Sequence, residues 1–215
     1  MTDPNLTHLY FLLDRSGSMQ SIREDTIGGF DAFMAEQRKH PGECRVTLAQ
    51  FDNEYDVVYT DRPIAEVPTL DLQPRGSTAL LDAIGRLVTD AGARLAALPE
   101  GRGPGTVIVG IMTDGQENSS REWTHPAVKA LVERQTKVYS WEFLYLGADQ
   151  DAIEVGTSIG VAAGRSVTYS RLAAAPAMAA TSAMVGRLRQ ARARGESTDA
   201  VGYTQAERDQ SASGR

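Results

Sequence analysis

The 215 residues predict a doubly wound α/β fold: a mostly parallel central sheet with one antiparallel edge strand and helices on both faces. Three observations carry that expectation. Residues 9–13 (Leu-Tyr-Phe-Leu-Leu) and 106–112 are nearly continuous apolar runs, the mark of strands covered on both faces. Between such runs lie apolar stripes at helical spacing, of which Leu80, Leu81, Ile84, Leu87, Val88, Ala91 and Leu95 form the clearest. Residues 45–51 and 56–60 read as strands joined by the short polar piece 52–55, a hairpin signal that places an antiparallel strand at the edge.

In chain order, residues 1–7 are polar and are expected to fray as an N-terminal tail, and 9–13 is the first strand. Ile22, Ile27, Phe30, Phe33 and Met34 give one helix over 20–40, ended by Pro41-Gly42. After the hairpin, 62–75 contains three prolines and reads as a loop leading to Thr78 and the helical stripe that follows. A Gly/Pro-rich turn at 99–105 precedes the strand 106–112. A helix over 123–134, opened by His125-Pro126, precedes a strand over 137–146. A helix over 148–159, a short strand over 166–169 and a closing helix over 177–194 complete a single domain spanning 8–194. Residues 195–215 are Ser/Asp/Gln-rich and are expected to form a mobile tail, with a short docking segment around 201–208 whose one large apolar group is Tyr203. The arginines at 187, 189, 192 and 194 read as complements of the last helix's dipole rather than as a contact patch.

Composition narrows the function classes. The chain is 41% hydrophobic and 23% charged, enough for one large core. A formal net charge of -6 argues against neutralising nucleic-acid phosphates. One cysteine, no signal-peptide-like start and no apolar run of membrane-spanning length lead to the expectation of a cytoplasmic protein without a membrane partner.

The chemistry concentrates where strands end. Asp14-Arg15-Ser16-Gly17-Ser18 follows the first apolar run and delivers a carboxylate and two hydroxyls at alternate positions, on one side of an extended segment. Such hard oxygen donors suit magnesium or manganese. Gly76-Ser77-Thr78-Ala79-Leu80 offers another hydroxyl, and Ile111-Met112-Thr113-Asp114-Gly115 ends the second run with a carboxylate. In parallel α/β sheets such strand-end loops meet in one crevice. Alone, Asp14, Ser16 and Ser18 equally suit a cap and turn, Thr78 a cap, and Asp114-Gly115 a turn; the weight lies in the ordered set.

That set resembles the metal-ion-dependent adhesion site of von Willebrand factor A (VWA) domains, written Asp-x-Ser-x-Ser, a distant Thr and a distant Asp, and falls on Asp14, Ser16, Ser18, Thr78 and Asp114. The likeness runs from about His8 to Tyr169, and Leu-Gly-Ala-Asp-Gln-Asp at 146–151 is similar to stand-alone bacterial members. The resemblance implies a Rossmann-like VWA fold and a divalent cation, magnesium first, with manganese or calcium as alternatives. It further implies a partner protein that offers Glu or Asp to the ion, and, in some members, movement of the last helix. Hydroxyls from Ser16, Ser18 and Thr78 would leave the ion much of its charge if Asp14 and Asp114 act mostly through water. Asp52, Glu117, Asn118 and Asp149 are expected on the rim. His8, His40 and His125 are scattered, and Cys44 reads as a packing residue.

Three functions stay open: a metal-dependent protein-binding module, a metal-dependent hydrolase, and a metal-independent scaffold. The first ranks highest. The sequence shows no nucleophile elbow, no phosphate-binding loop and no His-Glu-x-x-His pair, and neither serine has an evident histidine partner. Partner identity, biological process and oligomeric state are not legible in the chain.

Overall fold

A computed structural model describes residues 2–213. Six strands form one sheet: β1 (Thr2–Asp14), β2 (Glu43–Phe51), β3 (Tyr55–Pro63), β4 (Gly103–Thr113), β5 (Glu142–Ala148) and β6 (Ser166–Tyr169), in the spatial order β3-β2-β1-β4-β5-β6. All pairings are parallel except that of β3 with β2. The expected architecture, edge strand included, is therefore present.

The helices divide between the two faces as the strand alternation dictates. Leu9, Phe11 and Leu13 of β1 point to one face and meet Phe30, Phe33 and Met34 of α1 (Arg23–Gln37) and Met178, Met184 and Leu188 of α5 (Ala174–Ala193). Tyr10 and Leu12 point to the other. There they join the apolar stripe of α2 (Leu80–Ala96), Val128 and Val132 of α3 (His125–Tyr139), and Ala152 of α4 (Ala152–Ser158). Among the described residues no helix is long and apolar enough to cross a membrane.

Several boundaries differ from expectation, those of β1, α3 and α4 most instructively. β1 starts at Thr2 rather than after Thr7, because Thr2 and Asp3 find pairing partners in Gly103 and Pro104, across a register shift before Thr7. α3 runs on to Tyr139 where a strand was expected from 137. Val138 and Tyr139 are apolar, but they lie on the exposed side of the last helical turn, and the chain turns at Ser140 in the left-handed region before β5. α4 starts at Ala152, capped by the Asp151 carboxylate, which accepts from the amides of Ile153 and Glu154.

The stretch expected as a polar tail carries a sixth helix, α6 (Gln205–Ser213). Tyr203 is buried against α5, its hydroxyl 2.8 Å from Thr181 Oγ1. Arg187 makes a two-pronged pair with Glu207, and Ser170 N donates to Ser211 O. The arginines of α5 act here as clips: Arg189 donates to Gln37 O, and Arg192 pairs with Glu142, which Arg165 and Thr198 also reach.

Candidate metal centre

β1 and β4 lie side by side, Leu13 opposite Met112, at the point where chain order reverses across the sheet. Their carboxyl ends thus flank the crevice in which doubly wound sheets bind ligands. Asp14 ends β1 and is fully buried. Its Oδ1 accepts from Ser16 N at 2.7 Å and its Oδ2 from Thr113 Oγ1 at 2.6 Å. No cationic side chain pairs with it among the described residues. Burial raises its pKa to about 6, with the nearby Asp114 charge adding and the hydrogen bonds from Thr113 and Ser16 opposing.

The other four residues gather around it. Ser16 Oγ lies 3.0 Å from Ser18 Oγ, and Ser18 Oγ donates to Asp114 Oδ1 at 2.6 Å. Asp114 is buried; its Oδ2 makes no aligned hydrogen bond, although Arg171 Nη1 stands 3.0 Å away as an ion pair. Burial also raises the Asp114 pKa, against the Ser18 bond and the Arg171 charge. Thr78 enters through a reciprocal pair with Asn118: Thr78 N donates to Asn118 Oδ1 and Asn118 N to Thr78 O.

Gly115 reveals the cradle. A β-carbon there would stand 2.8 Å from Thr78 Oγ1, 3.6 Å from Ser18 Oγ and 3.7 Å from Asp14 Oδ2. Three oxygens from two distant segments, 14–18 and 76–80, thus face one small space beside Gly115 that a side chain would fill. With two carboxylates and three hydroxyls as the donor set, that space suits a hard divalent cation. Among the described residues no group of three or more His, Cys, Asp or Glu side chains forms an alternative metal site.

The rim residues have other work. Asp52 is fully buried at the end of β2, where Arg15 Nε at 2.9 Å and Arg75 Nε at 2.8 Å bracket one oxygen. Burial raises its pKa, but these guanidiniums and the Glu54 amide outweigh that and leave it lowered. The bracket ties the loop before Thr78 to the end of β1, helped by Gly17 N donating to Gly76 O. Gly76 adopts φ 68°, the left-handed region, and a β-carbon there would strike Asn53 Oδ1. Glu117 caps α2 by accepting from Leu81 N, and also accepts from Ser119, Ser120 and the Ser120 hydroxyl. Asp149 pairs with Arg171 at 2.9 Å.

Sequence reasoning missed Thr113 and Arg171, which contact Asp14, Asp114 and Ser18, and the roles of Arg15 and Arg75, which hold the rim residue Asp52. Thr113 alone carried a local signal, as the hydroxyl next to Asp114. His8 is buried against Thr47, its pKa lowered to about 3 by burial and by Arg94 and Arg45. Cys44 is buried, its pKa raised to about 11 by burial. Neither belongs to the site.

No protein-family profile matches the chain, and no curated protein sequence matches it. Solved structures do. Proximal thread matrix protein 1 of the mussel byssus superposes with a TM-score of 0.57 at 16% identity, over 86% of this chain and 46% of that one. A structure of the same protein with zinc occupying its MIDAS motif gives 0.53 at 15%, over 78% and 42%. The von Willebrand factor domain of a type V pili tip protein from Porphyromonas gingivalis gives 0.59 at 12%, over 86% and 96%. A von Willebrand factor type A structure from Catenulispora acidiphila gives 0.53 at 14%, over 83% and 42%. The chain spans less than half the length of the byssus and Catenulispora chains. It has the von Willebrand factor A fold.

Proposed function

We propose that this VWA-fold domain is a metal-dependent protein-binding module, holding a divalent cation through Asp14, Ser16, Ser18, Thr78 and Asp114. The observation that carries the reading is the convergence of Thr78, Ser18 and Asp14 oxygens on the space beside Gly115. Asp14 supports it: a fully buried carboxylate with no cationic partner is costly unless a cation neutralises it. The byssus protein with zinc at a MIDAS motif supports a divalent cation here as well. The all-oxygen donor set favours magnesium, or manganese, over the zinc seen in that neighbour.

When bound, the ion supplies a hard acceptor to which a Glu or Asp carboxylate of a partner protein can add. The chain's own residues set that acceptor's strength. Ser16, Ser18 and Thr78 offer neutral oxygens, Asp14 is anchored by Thr113, and the Asn118 pair fixes Thr78. Binding is favoured over hydrolysis because His8, His40, His125 and Cys44 make none of the hydrogen bonds that organise Asp14, Ser16, Ser18, Thr78 and Asp114. A cytoplasmic location is part of the same proposal, and a single unpaired cysteine, Cys44, is compatible with it.

The test fills the cradle without removing a donor. Gly115→Ala is expected to abolish saturable magnesium and manganese binding in calorimetric titration of metal-stripped protein, with native circular dichroism retained, and to abolish chelator-sensitive capture of a partner. Undiminished metal binding by the folded variant would overturn the reading.

A further inference from the structure

Arg171 opens a short turn, Arg171–Ala173, between β6 and α5, far in sequence from every residue of the motif. Its guanidinium nevertheless reaches across the site. Nη1 lies 3.0 Å from Asp114 Oδ2 and donates to Ser18 O at 3.3 Å and Ser21 Oγ at 3.2 Å. Nη2 donates to Asp114 O at 3.3 Å, and Nε pairs with Asp149 Oδ2 at 2.9 Å. The Asp114 side chain is 0% exposed while that of Arg171 is 37% exposed, so solvent screens this pair from the arginine's side only.

The consequence for a cation is electrostatic and geometric. The guanidinium takes one face of Asp114 while Ser18 Oγ donates to its other oxygen. Arg171 also holds the Ser18 carbonyl, so the same side chain fixes both members of that Ser18–Asp114 bond. A divalent ion held in part by Asp114 would have to share that carboxylate with the guanidinium's positive charge. Asp149 gives the guanidinium a second anchor.

We propose that Arg171 is a built-in competitor for the cation: it neutralises Asp114 and holds Ser18 to it, so metal loads only against the arginine's charge. This inference rests on the reading of the site as a metal centre. Arg171 thereby sets the magnesium concentration at which the module becomes competent to bind.

Metal-stripped wild type, Arg171→Gln and Arg171→Lys are titrated with magnesium chloride and manganese chloride by calorimetry, each with its circular dichroism checked. Arg171→Gln is expected to bind magnesium roughly tenfold more tightly than wild type, as loss of one nearby like charge in a partly desolvated site implies. Arg171→Lys, which keeps the charge, is expected to stay within about threefold of wild type. In chelator, Arg171→Gln is expected to melt several degrees lower, since Asp114 is then buried without its cation. Equal or weaker metal binding by Arg171→Gln would overturn the inference while leaving the metal site standing. Failure of all three folded proteins to bind either metal would instead overturn the metal site, and the inference with it.

Discussion

Asp14 is supported by neutral donors, Ser16 N and Thr113 Oγ1 foremost, and burial has moved its pKa to about 6. In an unfolded chain the same group titrates near the ordinary carboxylate value, about 3.9. Between those values the folded protein binds more protons than the unfolded one, so this group's contribution to stability is present at low pH and is lost as pH rises through about 6. In chelator, the melting temperature of wild type relative to Asp14→Asn is therefore expected to rise as pH falls from 7.5 to 5. Metal binding runs the other way, because the ion needs the charged form. Calorimetric magnesium affinity is expected to fall by up to about tenfold per pH unit below 6. An affinity flat between pH 7.5 and 5 would show that Asp14 is not a ligand. The sequence displayed Asp14 as a candidate; the depth of its burial, and hence its chemistry, came from the strands on either side.

At the scale of elements, residues 195–213 carry the clearest lesson. Composition marked 195–215 as a polar tail, yet Tyr203 lies 7% exposed in the core beside α5, and Arg187, Arg208 and Ser211 fasten α6 over β6. One aromatic ring, one ion pair and a few hydrogen bonds suffice to hold a segment whose average hydropathy is low, because the ring brings a large buried area to a prepared hole. Tyr203→Ala is expected to cost about 3 kcal/mol, and Tyr203→Phe about 1 kcal/mol for the lost Thr181 bond, measured by urea unfolding. If Tyr203→Ala changes stability by less than about 0.5 kcal/mol, α6 is not held in solution as it is here. The misplaced start of β5 has a related cause. Val138 and Tyr139 look like strand residues by type, but exposure on one side of a helix costs an isolated apolar residue little.

Across the whole molecule, the site exists because the sheet's order places β1 beside β4, bringing Asp14 and Asp114 together across 100 residues, while β2 carries the bracket for Thr78. Asp52 is the joint in that bracket, buried between Arg15 and Arg75, and the Ala79 amide donates to its carbonyl. Asp52→Asn leaves all five proposed ligands in place, but it removes the buried charge of the bracket and leaves Arg15 and Arg75 only the exposed carboxylates of Asp56 and Glu54. Magnesium affinity is expected to drop about tenfold and stability by roughly 3 kcal/mol. Affinity unchanged in the presence of that destabilisation would show that the Thr78 loop finds its position without the bracket.

The sequence by itself determined the alternation of strands and helices, the antiparallel edge and the five candidate oxygen donors. These are local properties: burial on two faces writes itself as continuous apolar runs, and a strand-end motif keeps its spacing within a few residues. Only the tertiary structure decided which side chains surround those donors. Thr113 bonds Asp14, Arg15 and Arg75 share Asp52, and Arg171 reaches Asp114 from beyond β6. No period or spacing encodes such meetings, because an arginine far along the chain reads like any solvated charge until the fold sets its partner within 3 Å.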